Sequence, residues 1–323
     1  MSDSADQARN RPTVSVVIAN HNGAAYLASA IRSAQQQSLR DLEIIVSDDG
    51  SDDDSVAMVS RLMEEDPRIR LVRSPTNRGP AAARNLARAL AEGQWIAVMD
   101  SDDLMHPERL NRLVEAGNCD GADLIADNLL EFYEDDSAPP RPLLGGRWEL
   151  RPHWIGLAEY VEQNLFYVRG PNLGYLKPLF RASVFTGGFR YDETLIIGED
   201  YDLVARLINA GNKLRVYPET WYFYRKHAAS LSRRPNKSAI KALEAIRAAH
   251  LRFQNQVVSG DQRLIAALAT RRRSIETALL FQKLIDSLKA GRWLDSLRIA
   301  LRRPQVAALL RIPIGVRLRR LMP

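Results

Sequence analysis

Residues 95–107 read WIAVMDSDDLMHP, in which five apolar residues lead directly into a cluster of three aspartates. An uncharged apolar run of this length is typical of a strand that is buried on both faces of a sheet. In open α/β sheets, ligands bind at the carboxyl ends of the strands. The sequence therefore predicts that Asp100, Asp102 and Asp103 lie at a ligand-binding edge.

The chain before this strand alternates between strand and helix patterns. Aliphatic runs at residues 14–18, 43–46 and 69–72 predict three further strands. Apolar residues at helical spacing separate these runs, and residues 81–91 are predicted to form an alanine-rich helix. Such alternation produces βαβ units. We therefore predict an α/β fold with a Rossmann-like, mixed, mainly parallel sheet flanked by helices.

The composition indicates a folded protein with three regions. The chain has 323 residues, of which 46% are hydrophobic and 26% are charged, as in ordinary globular proteins. We predict a loose polar tail at residues 1–11, an α/β domain at 12–235, and a helical, basic C-terminal region at 236–323. The boundary near residue 235 rests on the polar break at residues 233–236, beyond which apolar residues recur at helical spacing.

The sequence lacks the patterns of a secretory signal and of a membrane span. Its longest apolar runs are far shorter than the roughly 20 residues that a spanning helix needs. Cys119 is the single cysteine, which excludes an intrachain disulfide and a thiolate-rich zinc site. We therefore expect a cytoplasmic protein that is kept in the cytosol or bound to its membrane face.

The C-terminal end of the chain is strongly basic. Residues 289–323 hold nine lysines and arginines against one acid, whereas the whole chain has a net charge of +6. The apolar residues that share one helical side of this segment are Trp293, Leu294, Leu297 and Leu301. Two interpretations stay open: a helix that packs on the catalytic domain, or a helix on an anionic membrane surface. We expect no nucleic-acid partner.

Two other strand ends add polar groups to the same edge of the sheet. Residues 19–23 read ANHNG after the first strand, and residues 47–52 read SDDGSD after the second. Taken alone, the second segment is also explained as a turn that caps a helix. Carboxylates that converge repel one another unless a cation lies between them, and Mg²⁺ or Mn²⁺ shares oxygen ligands with substrate phosphates. We therefore expect a divalent metal ion and a phosphate-containing ligand.

Six segments, in this order, resemble the family 2 glycosyltransferases, which have the GT-A nucleotide-sugar-binding fold. They are residues 14–22, 43–51 (EIIVSDDGS), 77–86 (NRGPAAARNL), 95–107, 187–203 and 224–232. The resemblance covers about residues 12–235, and the helical C-terminal region is an extension to it. Residues 170–177 (GPNLGYLK) ahead of Phe180-Arg181 are similar to the subgroup that builds bacterial exopolysaccharides such as succinoglycan.

This resemblance implies a role for each matching position. The implied catalytic residues are Glu199 and Asp200, with Asp200 as the general base. The implied residues for the nucleotide-sugar donor are Ala19, His21, Asp48, Arg84, Asp100, Asp102 and Arg225. The implied metal ligands are Asp100, Asp102 and His227, with Asp103 as a supporting partner. His21 departs from the family pattern, in which an aromatic tyrosine is usual, and this puts stacking on the nucleobase in doubt.

The resemblance also implies an inverting reaction. An acceptor hydroxyl would displace a nucleoside diphosphate from a UDP-sugar, UDP-glucose in this subgroup, with Mg²⁺ or Mn²⁺ present. The product would be a β-linked sugar on a growing, lipid-linked exopolysaccharide or another glycan, at the cytoplasmic face of the inner membrane. Acceptor choice is expected to lie in residues 134–174.

Two other classes of protein stay open on the sequence. A sugar-phosphate nucleotidyltransferase also uses nucleotides, but it needs a glycine-rich phosphate loop, for which residues 20–23 are a poor substitute. A non-catalytic carbohydrate- or nucleic-acid-binding module suits the basic C-terminal end. It does not account for acids at the strand ends, because these repel phosphates when no metal is present.

Overall fold

The computed structural model describes residues 11–167, 172–227 and 239–311, and these residues divide into two compact units. Unit 1 contains the described residues up to 157 and those of 172–227, and unit 2 contains 158–167 and 239–311. The predicted tail at 1–11, apart from Arg11, and the predicted boundary near 235 fall outside the described residues.

The regular elements have the following bounds. The strands are β1 (Val14–Asn20), β2 (Leu42–Asp49), β3 (Ile69–Ser74), β4 (Trp95–Asp100), β5 (Leu104–Met105), β6 (Leu124–Tyr133), β7 (Arg141–Pro142), β8 (His153–Ile155), β9 (Leu179–Arg181) and β10 (Leu214–Lys226). The helices are α1 (Ala24–Gln35), α2 (Ser55–Glu65), α3 (Pro80–Ala89), α4 (Arg109–Asp120), α5 (Leu157–Glu162), α6 (Glu199–Asn209), α7 (Ala239–Gln256), α8 (Gln262–Lys289), α9 (Trp293–Arg302) and α10 (Pro304–Ala308).

Unit 1 is built on a ten-stranded sheet in the order β3-β2-β1-β4-β9-β6-β10-β5, with β7 paired to β6 and β8 paired to β10. Strands β1 to β4 are parallel, and so are β6 and β10. Strand β9 lies antiparallel between β4 and β6, so the sheet is mixed. The predicted α/β class, with helices on the flanks of a mixed sheet, is confirmed.

The core of unit 1 forms where the sequence patterns place it. The aliphatic residues of β1 are buried, as the uncharged run at 14–18 predicts. On α1, the four residues that recur at helical spacing are fully buried: Leu27, Ala30, Ile31 and Ala34. Strands β1 and β2 extend two and three residues beyond the predicted runs, as far as Asn20 and Asp49. The polar motifs therefore begin within the sheet and not in the loops after it.

Unit 2 is helical, and it includes a segment that the sequence assigned to the preceding domain. Glu162, at the end of α5, forms an ion pair of 2.6 Å with Arg263 of α8, and the ring of Tyr167 lies 5.3 Å from that of Phe281. These contacts bring residues 158–167 into unit 2. The sequence prediction of one continuous domain at 12–235 differs from the structure in this respect, because the contacts join residues that are far apart in the chain.

The C-terminal helices of unit 2 enclose a small apolar cluster. Phe281 and Leu284 of α8 and Val306 of α10 form its buried centre, and Ile299 of α9 packs against it. The opposite side of α9 carries Trp293, Leu294, Leu297 and Leu301, which are between 56% and 82% exposed. Within the described ranges, no helix has both the length and the apolar composition that crossing a bilayer requires. Three of the basic residues of 289–323 fall outside these ranges: Arg317, Arg319 and Arg320.

His250 of α7 makes the stability of unit 2 depend on pH. It is buried, and its Nε2 lies 3.1 Å from the carbonyl oxygen of Leu268. Burial, followed by the charge of Arg271, lowers the pKa of His250 from 6.5 to about 4. As the pH falls from 6.5 to about 4, the unfolded chain therefore binds a proton that the folded unit excludes. We predict that stability is fully present above pH 6.5 and falls by roughly 3 kcal/mol through this window.

The measurement is urea unfolding of the full chain at about pH 7.5 and about pH 4.5, followed by circular dichroism. His250→Gln is expected to reduce the loss of stability between the two values. His153→Gln serves as the control, because His153 also contacts a backbone carbonyl, that of Arg147 at 3.0 Å, and lies in unit 1. If His250→Gln and the wild type lost the same free energy, the assignment to His250 would be wrong.

Candidate active site

The register of the parallel strands brings three polar motifs to one edge. Ala19, near the end of β1, lies opposite Ser47 of β2 and Asp100 of β4, and Asn20 lies opposite Asp48. The side chains at the ends of β1, β2 and β4 therefore meet at the carboxyl end of the sheet. The sequence predicted that these residues lie together, because ligands in open α/β sheets bind at the carboxyl ends of the strands.

Asp48 is buried and holds the first two motifs together. It accepts a hydrogen bond of 3.1 Å from the side-chain amide of Asn20 and another of 3.1 Å from the backbone amide of Ser51. Asn22 adds a link, because its backbone amide donates to Ser51 Oγ at 2.9 Å. His21 is exposed beside this turn. The three residues predicted for the nucleotide, Ala19, His21 and Asp48, thus lie together, and their contact with a nucleobase stays a prediction.

Asp49, which the sequence did not single out, fixes the start of α3. Its carboxylate accepts hydrogen bonds from the backbone amides of Arg78 at 2.9 Å and Gly79 at 2.7 Å. Gly50 then turns the chain with φ +71°, and a Cβ there would meet the carbonyl carbon of Thr76 at 2.8 Å. The acidic turn therefore positions a helix as well as a strand end.

Five charged side chains form a buried ion-pair cluster beyond this turn. Arg84 of α3 contacts Asp100 at 2.8 Å, Glu199 at 2.5 Å and Asp200 at 3.3 Å. Lys177 contacts Asp100 at 2.8 Å and Asp200 at 3.0 Å. Two cations thus connect the end of β4 to the start of α6, where the helix N-terminus favours acidic residues. We call these five residues the ion-pair cluster.

For Arg84, Lys177 and Asp100 the charges of the neighbours outweigh the cost of burial, whereas burial and the charge of Asp200 raise the pKa of Glu199. Burial disfavours the charge on Arg84, yet Asp200, Asp100 and Glu199 hold its pKa well above the usual range. Burial likewise opposes the charge on Lys177, and Asp100 and Asp200 raise its pKa well above the usual range. The pKa of Asp100 is lowered by Lys177 and Arg84 against the effect of burial. Arg84, Lys177 and Asp100 are therefore charged at neutral pH.

Asp100, Asp102 and Asp103 form a second group that fits a divalent cation. One ligand oxygen from each lies within 4.8 Å of the others. Asp103 is fully buried, and burial, with the charges of Asp100 and Asp102, raises its pKa well above the usual range. A cation among the three carboxylates would relieve this repulsion, and oxygen ligands of this kind suit Mg²⁺ or Mn²⁺.

The two basic residues predicted at the end of β10 both meet Asp102. His227 Nε2 lies 2.8 Å from Asp102 Oδ2, and Arg225 Nε donates to the backbone oxygen of Asp102 at 2.8 Å. The Arg225 guanidinium lies between the rings of Tyr26 and Phe132, 5.0 and 4.9 Å from their centroids. The geometry therefore brings together the predicted metal ligands, although part of the predicted motif at 224–232 lies outside the described residues.

The sequence reasoning missed two residues of this site. Lys177 lies within the motif at residues 170–177, and its place between Leu176 and Pro178 in an apolar run is the one local signal that marks it. Tyr222 was also missed. Its hydroxyl donates to Asp103 at 2.8 Å and accepts from the backbone amide of Asp100 at 3.0 Å. Nothing local in the sequence marks this tyrosine, because its partners lie about 120 residues earlier in the chain.

Comparison with known proteins identifies the family. The family model described as "Glycosyl transferase family 2" matches residues 15–191, more than half of the chain. This chain belongs to glycosyl transferase family 2. The glycosyltransferase is 36% identical to the succinoglycan biosynthesis protein ExoO of Rhizobium meliloti (strain 1021), over 96% of this chain and 87% of ExoO. It is 38% identical to ExoU of the same strain, over 65% of this chain and 60% of ExoU.

Solved structures are similar to this glycosyltransferase in fold. S. aureus TarS 1-349 matches with a TM-score of 0.65 and 18% identity, over 92% of this chain and 83% of that chain. The mannosyltransferase PcManGT from Pyrobaculum calidifontis, in complex with GDP-Man and Mn²⁺, matches with a TM-score of 0.58 and 16% identity, over 91% and 82%. At these identities the similarity concerns the fold alone, and the predicted GT-A fold is confirmed.

A pair of glycine substitutions tests the geometry of the acidic turn in the glycosyltransferase. Gly50 and Gly121 both have positive φ, +71° and +66°, but of these two only Gly50 lacks room for a Cβ. Gly121 is in the left-handed helical region, so Gly121→Ala is expected to cost about 1 kcal/mol of stability through backbone strain alone. Gly50→Ala is expected to cost more, because the new methyl group meets the backbone at Thr76. Urea unfolding of the two variants provides the comparison, and equal losses would contradict the steric argument.

Proposed function

We propose that this glycosyltransferase is an inverting hexosyltransferase of exopolysaccharide biosynthesis, with a UDP-sugar as donor and UDP-glucose as the first candidate. The observation that carries the proposal is that Lys177 and Arg84 connect Asp200 to Asp100, the first residue of the carboxylate group that fits a cation. The proposed site for the charged leaving group would therefore lie beside Asp200, whose carboxylate is partly exposed. The similarity to ExoO, a succinoglycan biosynthesis protein, supports the class of acceptor.

Asp200 is our candidate for the general base. Its side chain is 19% exposed, against 9% for Glu199, whose Oε1 is bound by Arg84 at 2.5 Å. Asp200 would take the proton from the acceptor hydroxyl as that oxygen attacks the anomeric carbon. A single displacement inverts the configuration, so that an α-linked donor yields a β-linked product. Glu199 would position Arg84 and would not touch the acceptor.

The donor would lie across the ends of β1, β2 and β4. Asp48, with Ala19 and His21, would line the nucleotide side, and Asp100, Asp102 and His227 would hold Mg²⁺ or Mn²⁺. When bound, the ion would neutralise negative charge on the leaving diphosphate. We further propose that Arg84 acts by holding carboxylates, which differs from the predicted donor contact, because its guanidinium is buried against Asp100, Glu199 and Asp200.

The proposal is tested by release of nucleoside diphosphate from a panel of nucleotide-sugars with Mn²⁺, with Mg²⁺ and with EDTA. We expect release with a UDP-sugar and a loss of release with EDTA. Asp200→Asn is expected to lower kcat by roughly 100-fold with little change in UDP binding, because the base acts on the acceptor. Asp202→Asn is the matched control, since Asp202 lies on the same helix and pairs with Arg206 at 2.8 Å.

Two results would contradict these roles. Equal kcat values for Asp200→Asn and Asp202→Asn would remove Asp200 from the reaction. Absence of release from every nucleotide-sugar of the panel, with bound Mn²⁺, would overturn the proposed function and reopen the binding-module alternative.

We also propose that unit 2 attaches to the cytoplasmic leaflet of the membrane, where a lipid-linked acceptor would be found. The exposed apolar side of α9 has arginines beside it, and all of them are exposed: Arg292, Arg298, Arg302 and Arg303. Apolar side chains enter the headgroup region, and each basic residue near an anionic surface adds about 1 kcal/mol. This combination supports peripheral attachment that weakens as salt is added.

Sedimentation with phosphatidylglycerol-containing vesicles at low salt measures this attachment. We expect the full chain to bind, and the double variant Trp293→Ser/Leu297→Ser to lose most of the binding. Leu251→Ser is the control, because Leu251 is an exposed leucine of a different helix, α7. Binding of all three proteins to the same extent, or of none, would show that α9 is not the anchor.

A further inference from the structure

Tyr175 presents an exposed aromatic ring beside the ion-pair cluster. It ends a 3-10 turn at Leu173–Tyr175, two residues before Lys177, and this turn packs against α6, the helix that begins with Glu199 and Asp200. The backbone of the turn is fixed, because Asn172 accepts hydrogen bonds from the amides of Gly174 at 3.0 Å and Tyr175 at 3.2 Å. The Tyr175 side chain is nevertheless 43% exposed.

Polar groups border this ring on one side. The Tyr224 ring lies 6.4 Å from the Tyr175 ring, and Lys226 Nζ lies 4.3 Å from the Tyr224 centroid and 6.0 Å from that of Tyr175. Lys226 also pairs with Glu131 at 3.0 Å, and Arg141 pairs with the second oxygen of Glu131 at 3.1 Å. Lys226 therefore lies over one face of the Tyr175 ring, and the exposed part of the ring has a network of charged donors and acceptors beside it.

The two faces of β10 distinguish this surface from the donor residues on the same strand. Arg225 and the adjacent His227 contact Asp102, whereas Tyr224 and Lys226 alternate with them in the sequence and lie on the other face. Tyr222 shares the face of Tyr224 and Lys226, and it contacts Asp103 at 2.8 Å. The aromatic surface therefore begins at the carboxylates and lies on the face of β10 opposite to Arg225 and His227.

We propose that Tyr175, supported by Tyr224, is the platform on which a pyranose ring of the acceptor glycan stacks. This inference rests on the proposed function. A displacement with inversion requires the acceptor and the leaving diphosphate on opposite sides of the anomeric carbon, and Tyr224 lies on the face of β10 opposite to Arg225 and His227. A pyranose has an apolar face of C–H groups and a rim of hydroxyls. The ring of Tyr175 would stack on the apolar C–H face of the sugar. The charged groups of Lys226, Arg141 and Glu131 would form hydrogen bonds with the hydroxyls at its rim.

The test measures saccharide binding directly, so that it does not depend on turnover. Methyl β-D-glucopyranoside and methyl β-D-galactopyranoside are titrated by ligand-detected NMR into the full chain loaded with UDP and Mn²⁺. Sorbitol, which has the hydroxyls without a ring face, is the control ligand. We expect at least one pyranoside to bind and sorbitol not to bind.

Substitutions at Tyr175 separate the ring from the hydroxyl. Tyr175→Leu is expected to weaken pyranoside binding roughly tenfold, whereas Tyr175→Phe keeps most of it, because the ring face supplies the contact. Trp154→Leu is the matched control: Trp154 is 46% exposed and has Arg215 4.8 Å from its ring, but it lies on β8, which pairs with the opposite end of β10. Calorimetry with UDP and Mn²⁺ checks that each variant keeps a folded donor site.

The outcomes distinguish this inference from the proposed function. The proposed stacking on Tyr175 would be wrong if the wild type bound no pyranoside or if Tyr175→Leu left binding unchanged. It would also be wrong if Trp154→Leu or Tyr175→Phe lost as much binding as Tyr175→Leu. If the wild type still released UDP from a UDP-sugar in any of these cases, the glycosyltransferase function would stand and only the acceptor assignment would fail.

Discussion

Arg84 carries a positive charge that is buried, and the site is arranged around this constraint. Its guanidinium finds carboxylates at the end of β4 and at the start of α6, which are about 100 residues apart in the chain. A buried cation without partners would be strongly destabilising, so α3, β4 and α6 must approach one another for the chain to fold. Lys177 adds a second cation between Asp100 and Asp200, which would otherwise repel each other.

The two aspartates at the end of β2 connect this arrangement to the strand ends that we propose bind the nucleotide. Asp48 binds Asn20 and Ser51, while Asp49 binds the amides of Arg78 and Gly79 that precede α3. Two adjacent side chains, pointing to opposite faces of β2, thus connect one strand end to its neighbour and to the helix that delivers Arg84. The motif proposed for the donor and the proposed catalytic carboxylate are therefore connected through hydrogen bonds and ion pairs.

On the side of Asp100 that Arg84 does not reach, the site has more carboxylates, and this distinguishes that side from the ion-pair cluster. Asp102 and Asp103 add carboxylates where Arg84 does not reach. Asp103 is buried, and its oxygens accept hydrogen bonds from two uncharged donors, the Tyr222 hydroxyl and the Arg225 backbone amide. A cation of the donor complex suits this place. In the proposed function, the aromatic surface at Tyr175 and Tyr224 would bind the acceptor sugar on the face of β10 opposite to Arg225 and His227, which would lie beside the leaving group.

The sequence by itself determined the α/β class, the places of the first four strands along the chain and the convergence of the motifs at the ends of β1, β2 and β4, because these depend on local apolar patterns and on a general rule for parallel sheets. Its resemblance to family 2 glycosyltransferases also pointed to Asp100, Asp102, Asp200 and His227. It did not give Lys177, Tyr222 or Tyr175 a role, and it did not separate residues 158–167 from the α/β domain. Only the tertiary structure decided these, because their contacts are set by sheet register and by packing between residues far apart in the chain, which no local pattern encodes.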